Sequence, residues 1–356
     1  MKISSVKYWK EDLQLTRPYT IAYKTVSAVE NVFVLLELQD GRYGIGAGSP
    51  ASFVTGESID DTIEALDHHL ESLVYGKDIR HFHEILQKSK TAFTGRPAAQ
   101  AALDIALHDL FCKVLDIPVY DFYGLVHQGI PTSITIGIND LETTLAEAEE
   151  HMGAGFKVIK LKTGHTVEQD VAIFRKLREA VGSDIKIRVD ANQGYTKEDL
   201  SRFLQETAAY SPEFVEQPLP KGHFRELREL PWDVRALCAA DEDMQIPKDA
   251  VTLAADPLAY GIYNIKLMKC GGVDAGKQIA DIAFDRDIDL MWGCMDESIV
   301  SITAALHIAL ASRATRYLDL DGSFDLARDV VDGGFDLKDG CLWPVDKPGF
   351  GVDLVG

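Results

Sequence analysis

Basic residues are scarce in this 356-residue chain: 36 Lys and Arg stand against 56 Asp and Glu, a formal net charge of −20 at pH 7. No basic run exceeds a few residues. That balance excludes nucleic acid and anionic membrane surfaces as partners, because both are bound chiefly through Lys and Arg neutralising phosphates. Long apolar runs are missing as well. Stretches such as Val32-Phe33-Val34-Leu35-Leu36 fall far short of the ~20 residues that cross a bilayer. Met1-Lys2-Ile3-Ser4-Ser5 opens directly into a strand-like alternation, so neither a signal peptide nor a transmembrane helix is expected and the chain reads as cytoplasmic. Cysteine is sparse: Cys112, Cys238, Cys270, Cys294 and Cys341 are odd in number and form no CxxC pair, which fits reduced thiols and leaves any metal to oxygen ligands. The rest is ordinary globular composition, 46% apolar and 26% charged, suited to small-molecule chemistry.

Residues 1–60 alternate apolar and polar around turn signals, with Val32–Leu38 and Tyr43–Gly46 flanking Asp40-Gly41, which reads as an antiparallel hairpin. From Ser58 to Leu115 the period becomes helical and ends in the Ala-rich stretch 98–110, before Pro118. Beyond about residue 130, short apolar runs alternate with amphipathic helices. The runs are Thr132–Gly137, Val158–Lys162, Ile185–Asp190, Phe214–Glu216, Ala236–Asp241, Tyr263–Lys266, Leu290–Gly293 and Tyr317–Asp319. Between them, Thr166–Val181 carries apolar residues three and four apart behind a Thr166-x-x-Gln169 capping box. Eight strands separated by helices point to an α/β chain with a (β/α)8-type barrel; a doubly wound open sheet is the competing reading. The domains expected are an α+β unit over 1–125, a barrel over 126–325, and a tail over 326–356 that packs back on the first unit.

Successive barrel strands end on ionisable residues. From Lys162 through Asp190, Glu216 and Asp241 to Lys266 the steps are 28, 26, 25 and 25 residues, one βα unit each. Such strand ends face a common mouth, where barrel enzymes carry their chemistry. Any one carboxylate alone could be an isolated strand-end residue or a helix cap. Asp190, Glu216 and Asp241 together would repel one another and demand a cation, and all-oxygen ligation selects a hard ion, Mg2+. Lys160 and Lys162 share one face of their strand. Two ammonium groups so close, beside a metal, should let one pKa fall toward ~7–8, suited to a general base. Lys266 supplies an amine from the opposite side, whereas Lys269 has odd parity and is expected to point elsewhere. A carboxylate substrate held between two amines invites removal of its α-proton, with positive charge holding the enediolate left behind. Amines on both faces add inversion, the logic of a racemase or epimerase. A barrel that merely binds a metal–carboxylate ligand would not require two opposed lysines.

The ordered set Lys160-x-Lys162, Asp190-Ala-Asn192-Gln193-Gly194, Val215-Glu216-Gln217-Pro218, Ala240-Asp241-Glu242, and Asn264-Ile-Lys266 with Gly271-Gly272 resembles the muconate lactonizing branch of the enolase superfamily. The stretch Ala101–Leu110 and Gly44-Ile-Gly46 with Pro50 extend the resemblance over the whole chain. It implies a modified TIM barrel, (β/α)7β, capped by an α+β domain built from the N-terminal region and the C-terminal tail. It also implies Asp190, Glu216 and Asp241 as Mg2+ ligands, Lys162 and Lys266 as the acid/base pair, and Lys160 as the neighbour tuning Lys162.

Within that branch Leu318-Asp319-Leu320-Asp321 looks like the Asp-x-Asp of dipeptide epimerases, two carboxylates on one face that could take a substrate α-ammonium. The resemblance therefore implies a Mg2+-dependent dipeptide epimerase inverting the Cα of the C-terminal residue, with L-Ala-L-Glu as first-choice substrate. An o-succinylbenzoate synthase or muconate-type cycloisomerase on the same scaffold is the alternative. Thr135, Lys24 and Asp296 join Asp319 and Asp321 as substrate-binding candidates. Lys24 stands where Ala-Glu epimerases carry an arginine against a substrate carboxylate, keeping the charge without the bidentate fork. Asp296 pulls the other way, toward a cationic or neutral side chain, or else pairs with Lys24. Ala47 and Asp243 depart from the family pattern. Capped barrels of this family commonly assemble, so a homo-oligomer is in keeping.

Overall fold

The computed structural model describes residues 1–16 and 28–355 in full and, between them, only the backbone of two short strands. Strands β1 (Ile3–Asp12), β2 (Tyr19–Ile21), β3 (Lys24–Val26), β4 (Glu30–Leu38) and β5 (Tyr43–Gly48) open the chain; β1, β4 and β5 pair antiparallel, and β2 pairs with β3. The Asp40-Gly41 turn forms as expected, with Gly41 at φ +86 and Leu38 N–H donating to Arg42 O at 2.9 Å. Helices α1 (Ser52–Thr55), α2 (Ile59–Val74), α3 (Phe82–Ala92), α4 (Pro97–Leu115) and α5 (Val119–Tyr123) follow.

The Ala-rich stretch is the middle of α4, and small residues on both sides let it lie flush on β5. Added to Gly44, Gly46 or Gly48, a Cβ would sit 2.4, 2.0 or 2.4 Å from the carbonyl oxygens of Ala106, Ala102 and Ala98. Alternate glycines on the strand thus meet every fourth residue of the helix. Asp109, buried on α4, ties three segments together: it accepts from Ile45 N–H at 3.0 Å and Phe350 N–H at 2.9 Å, and pairs with Lys113 at 2.8 Å. The tail thereby returns to the N-terminal unit, where Leu354 N–H also donates to Tyr43 Oη at 3.3 Å.

The second layer begins with β6 (Ile130–Pro131) and β7 (Ser133–Ile136), then α6 (Leu141–Gly153), β8 (Val158–Lys162), α7 (Val167–Val181), β9 (Lys186–Asp190), α8 (Lys197–Thr207) and β10 (Val215–Glu216). It continues through α9 (Phe224–Leu227), α10 (Trp232–Arg235), β11 (Cys238–Ala240), α11 (Pro247–Leu253), β12 (Ile262–Ile265), α12 (Leu267–Cys270), α13 (Val273–Asp285), β13 (Asp289–Gly293), α14 (Ile299–Leu310) and β14 (Thr315–Asp319). Strands β7 to β14 pair parallel in chain order. An isolated parallel bridge between Thr132, just before β7, and Leu318 of β14 brings the two ends of the sheet together, so the eight strands form a nearly closed barrel, not a doubly wound open sheet. Helices fill each of the seven crossovers and β14 runs into the tail, the (β/α)7β pattern.

Inside the ring, Phe214, Ala239, Ile262 and Met291 form a separate apolar cluster with Tyr317. Arg188 joins it, its guanidinium 5.4 Å from the Phe214 ring centre and 5.1 Å from that of Tyr317. Its Nη1 donates to Leu318 O at 2.6 Å. Because side chains alternate, the residues two further along these strands face the same interior one layer higher. They are Glu216, Asp241, Asn264, Gly293, Asp319 and Asp190. The apolar floor shuts one end of the barrel, so chemistry can occur only at the other. Over that end the cap is latched: Ser49 Oγ donates to Asp296 O at 2.8 Å, and Ser298 N–H donates to Asn31 Oδ1 at 3.1 Å.

Candidate active site

The mouth gathers the sequence-expected residues. Lys162 pairs in register with Asp190, and Asp190 with Glu216, on β8, β9 and β10. Asp241 follows β11 and Lys266 follows β12. Glu216 is fully buried; Oε1 accepts from Asn264 Nδ2 at 2.6 Å, while Oε2 meets the Lys160 ammonium at 2.7 Å. Lys160 Nζ also lies 2.8 Å from Asp319 Oδ2 and 3.4 Å from Asp190 Oδ2. Lys266 Nζ donates to Asp241 Oδ2 at 2.8 Å. Sharp turns leave these strands, with Asn192, Gln193 and Gln217 at φ +44, +70 and +32, positions where strain commonly accompanies function.

Electrostatics in the cluster run in two directions. Burial first, then Asp190 and Asp241, push the Glu216 carboxyl up to about 8 against the pull of Lys160. Burial and the same two carboxylates push Glu242 up to about 7, and its Oε2 is buried with no hydrogen-bond partner among the described residues. Burial would raise Asp241 too, but Lys266 and Lys269 override it and hold it well below the carboxylate range. Burial works against the Lys160 charge, yet Asp319, Glu216 and Asp190 outweigh it and raise its pKa well above the ordinary value. Of the two strand lysines, Lys160 is therefore not the one whose pKa falls: the carboxylates around it keep it charged.

Among the described residues no three metal-binding side chains already stand drawn together. Ammonium groups interpose, supplying the positive charge that the carboxylates require. The donor set nonetheless fits a hard divalent cation: Asp190, Glu216 and Asp241 offer oxygens only, and the buried Glu216 carboxyl, pushed up by burial and its carboxylate neighbours, loses its proton reluctantly until a cation stands beside it.

Lys269 departs from the expectation that it points elsewhere. It is buried, and its ammonium donates to both the backbone oxygen of Asp241, at 2.7 Å, and the Asp241 Oδ1, with Asn264 O at 3.1 Å. Strand parity misplaced it because β12 stops at Ile265 and the one-turn helix α12 follows, where a residue three along returns to the same side.

The Asp-x-Asp pair is divided. Strand β14 ends at Asp319, which is buried and committed to Lys160 and to Ser133 Oγ, 2.5 Å away. Asp321 lies beyond the strand, half-buried, with Oδ2 accepting from Thr135 N–H at 2.8 Å and Oδ1 3.8 Å from Cys294 Sγ. Burial and Asp319 push its carboxyl up to about 6. Thr135, paired in register with Lys160, thus touches the site through its backbone. Asp296 is half-buried in the loop after β13, against Ser49 of the cap. The side chain of Lys24 lies outside the described residues. Asp243, a departure from the family pattern, is taken up structurally by Tyr260 Oη at 2.7 Å and Gly222 N–H at 2.6 Å.

Residues 3–124 match the mandelate racemase / muconate lactonizing enzyme N-terminal domain, and residues 143–355 the enolase C-terminal domain-like family. The L-Lys-D/L-Arg epimerase of Desulforapulum autotrophicum is 55% identical over 355 residues, covering 100% of both chains. A crystal structure of the dipeptide epimerase from Methylococcus capsulatus, complexed with Mg and the dipeptide L-Arg-D-Lys, superposes with a TM-score of 0.97 at 48% identity over 99% of each chain. The substrate-liganded L-Ala-D/L-Glu epimerase of Bacillus subtilis gives a TM-score of 0.93 at 30% identity, again over 99% of each chain. The chain therefore belongs to the mandelate racemase / muconate lactonizing enzyme family of the enolase superfamily, on its dipeptide-epimerase branch.

Proposed function

We propose that this protein epimerises cationic dipeptides of the Lys-Arg type at the Cα of the C-terminal residue. The observation that carries the reading is the pair Lys162 and Lys266 at the ends of β8 and β12, four places apart in a ring of eight strands, with three carboxylates between them. One lysine, as free amine, takes the α-proton; the other, as ammonium, returns a proton to the opposite face. Asp190, Glu216 and Asp241 would hold Mg2+, which supplies positive charge to the substrate carboxylate as the α-proton leaves. Lys160, fixed by Asp319 and Glu216, keeps the neighbourhood of Lys162 positive. Asp321, with Asp319 behind it, takes the α-ammonium of the dipeptide. That carboxylate pair favours an epimerase over a cycloisomerase or an o-succinylbenzoate synthase, whose substrates lack the ammonium.

The cationic preference rests on Asp296 at the mouth and on the stronger likeness to the Lys-Arg enzymes than to the Ala-Glu epimerase, so L-Ala-L-Glu gives way as first choice. The five unpaired cysteines support a reducing compartment, the cytoplasm, and no helix among the described residues is long and apolar enough to cross a membrane. Proton NMR in D2O with Mg2+ tests the reading on L-Lys-L-Arg, L-Ala-L-Glu and L-Ala-L-Phe. Loss of the second residue's α-proton signal with growth of the diastereomer is expected first for L-Lys-L-Arg. A metal-loaded enzyme that exchanges no dipeptide overturns it.

A further inference from the structure

Asp104 sits in the middle of α4, buried, on the cap and not on the barrel. Its carboxylate nevertheless accepts from the backbone N–H groups of Val273 at 2.8 Å and Asp274 at 3.3 Å, the first turn of barrel helix α13. A carboxylate is well placed there, against the positive end of the helix. Two glycines permit the approach. A Cβ on Gly272, at φ +109, would stand 2.6 Å from Asp104 Cγ, and one on Gly271, at φ +90, would stand 3.0 Å from Gln100 Cγ, one turn earlier on α4.

Behind Asp104 the contacts continue into the cap. His108 Nδ1 lies 3.1 Å from Asp104 Oδ1 and 2.9 Å from Asp104 O, and His108 Nε2 lies 2.7 Å from Tyr123 Oη. Burial opposes charge on His108, but Asp104 overrides it and raises the imidazole above its ordinary value. In front, the chain from Val273 back to Lys266 is short and held by backbone hydrogen bonds. Gly271 and Gly272 N–H donate to Leu267 O at 2.9 and 3.0 Å, and Lys269 and Cys270 N–H donate to Lys266 O at 2.9 and 3.2 Å. Ser49 N–H, from the cap, meets Met268 Sδ at 3.0 Å on the same segment.

We propose that Asp104 is a positioning residue for Lys266, gripping the segment 267–274 from the cap so that the amine at its start is held at the barrel mouth. The other lysine is held differently: the strand of Lys162 is secured by its neighbour, with Thr163 N–H donating to Asp190 O at 2.9 Å. Loosening the grip should therefore disturb one side of the reaction. This rests on the reading of Lys162 and Lys266 as opposed acid and base.

The test is α-proton exchange and inversion in D2O by the full-length, Mg2+-loaded enzyme, from L-Lys-L-Arg and L-Lys-D-Arg separately. Lys266→Ala identifies the epimer that Lys162 deprotonates. For Asp104→Asn, inversion is expected to slow about tenfold from either epimer, with KM within about twofold, since small misplacements of a reacting group are costly. Exchange should stay near wild type from the epimer that Lys162 deprotonates and fall with inversion from the other. His108→Gln, which removes the contact behind Asp104, should show the same asymmetry more weakly, and carries the test if Asp104→Asn fails to fold. Equal loss of exchange from both epimers, or no change from either, overturns the proposal. Wild-type enzyme inert toward both epimers removes the epimerase reading itself and this proposal with it, a result visible before any variant is made.

Discussion

Lys162 and Lys266 enter the barrel mouth from strands β8 and β12, directly across a ring of eight. In the proposed reaction each amine addresses one face of a substrate lying between them. Replacing either with Ala should cut inversion by about a thousandfold or more, the scale of losing an essential general acid or base. The two variants should differ in what survives: each retains solvent exchange only from the epimer whose proton faces the remaining lysine. Exchange from both epimers by both variants would show that a single base serves both faces.

Metal dependence should carry a pH signature. Burial, with Asp190 and Asp241, places the Glu216 carboxyl at about 8 in the metal-free protein, so below that pH it holds a proton that Mg2+ must displace. Affinity for Mg2+ should weaken about tenfold per unit as pH falls below 8, as long as one proton is released. Titration calorimetry at pH 7 in buffers of different ionisation heat would read that proton directly. Glu216→Gln should release fewer protons than wild type and bind Mg2+ far more weakly. Chelation should abolish epimerisation, and added Mg2+ should restore it.

The strand ends were legible because a barrel repeats: one βα unit per ionisable residue is a pattern that survives without any structure. The apolar floor was equally implicit in period-two alternation. Lys269 was not, because the switch from strand to one-turn helix at Leu267 has no local marker and reverses the parity rule. Asp319 and Asp321 were paired on one strand face, but β14 ends between them. Ser133 and Arg188, which fix Asp319 and the Leu318 carbonyl, were invisible for another reason. Their partners lie 186 and 130 residues away, and only closure of the ring brings them together.

Asp321 and Asp296 should separate reaction from preference. Asp321→Asn keeps the shape and the Thr135 contact but loses the charge that meets an α-ammonium. It should lower kcat/KM for dipeptides about a hundredfold. Asp296→Asn should leave the reaction intact and compress the preference for L-Lys-L-Arg over L-Ala-L-Phe by about tenfold. Competition between the two dipeptides in one NMR tube measures the ratio. An unchanged ratio would move cationic recognition to another part of the mouth.

Gly46 tests the seam between strand and helix. A Cβ there would stand 2.0 Å from Ala102 O, a backbone atom that cannot step aside. Gly46→Ala should cost about 3 kcal/mol of stability through overpacking, read as a lower urea midpoint. Gly41→Ala has no atom within 4 Å of the new Cβ and suffers only from its φ of +86, so it should cost less. Equal losses would mean that backbone conformation, not the close approach, sets the cost.

His307 lies fully buried on α14, neither ring nitrogen hydrogen-bonded among the described residues, its ring centre 4.9 Å from that of Tyr120 and 5.2 Å from that of Phe350. Burial pushes its pKa down to about 3, against 6.5 for an unperturbed imidazole. The folded protein thus keeps it neutral where the unfolded chain protonates it. Stability should be unaffected by this residue above about pH 6.5 and should fall as pH drops below it, because the unfolded state then binds the extra proton. At pH 5 the loss is on the order of 2 kcal/mol. His307→Leu removes the titrating group while keeping the site apolar, so its stability relative to wild type should improve between pH 7.5 and pH 5 by about that amount. Urea denaturation of both proteins at the two pH values gives the difference, and parallel losses in both would show that His307 is protonated in the folded state.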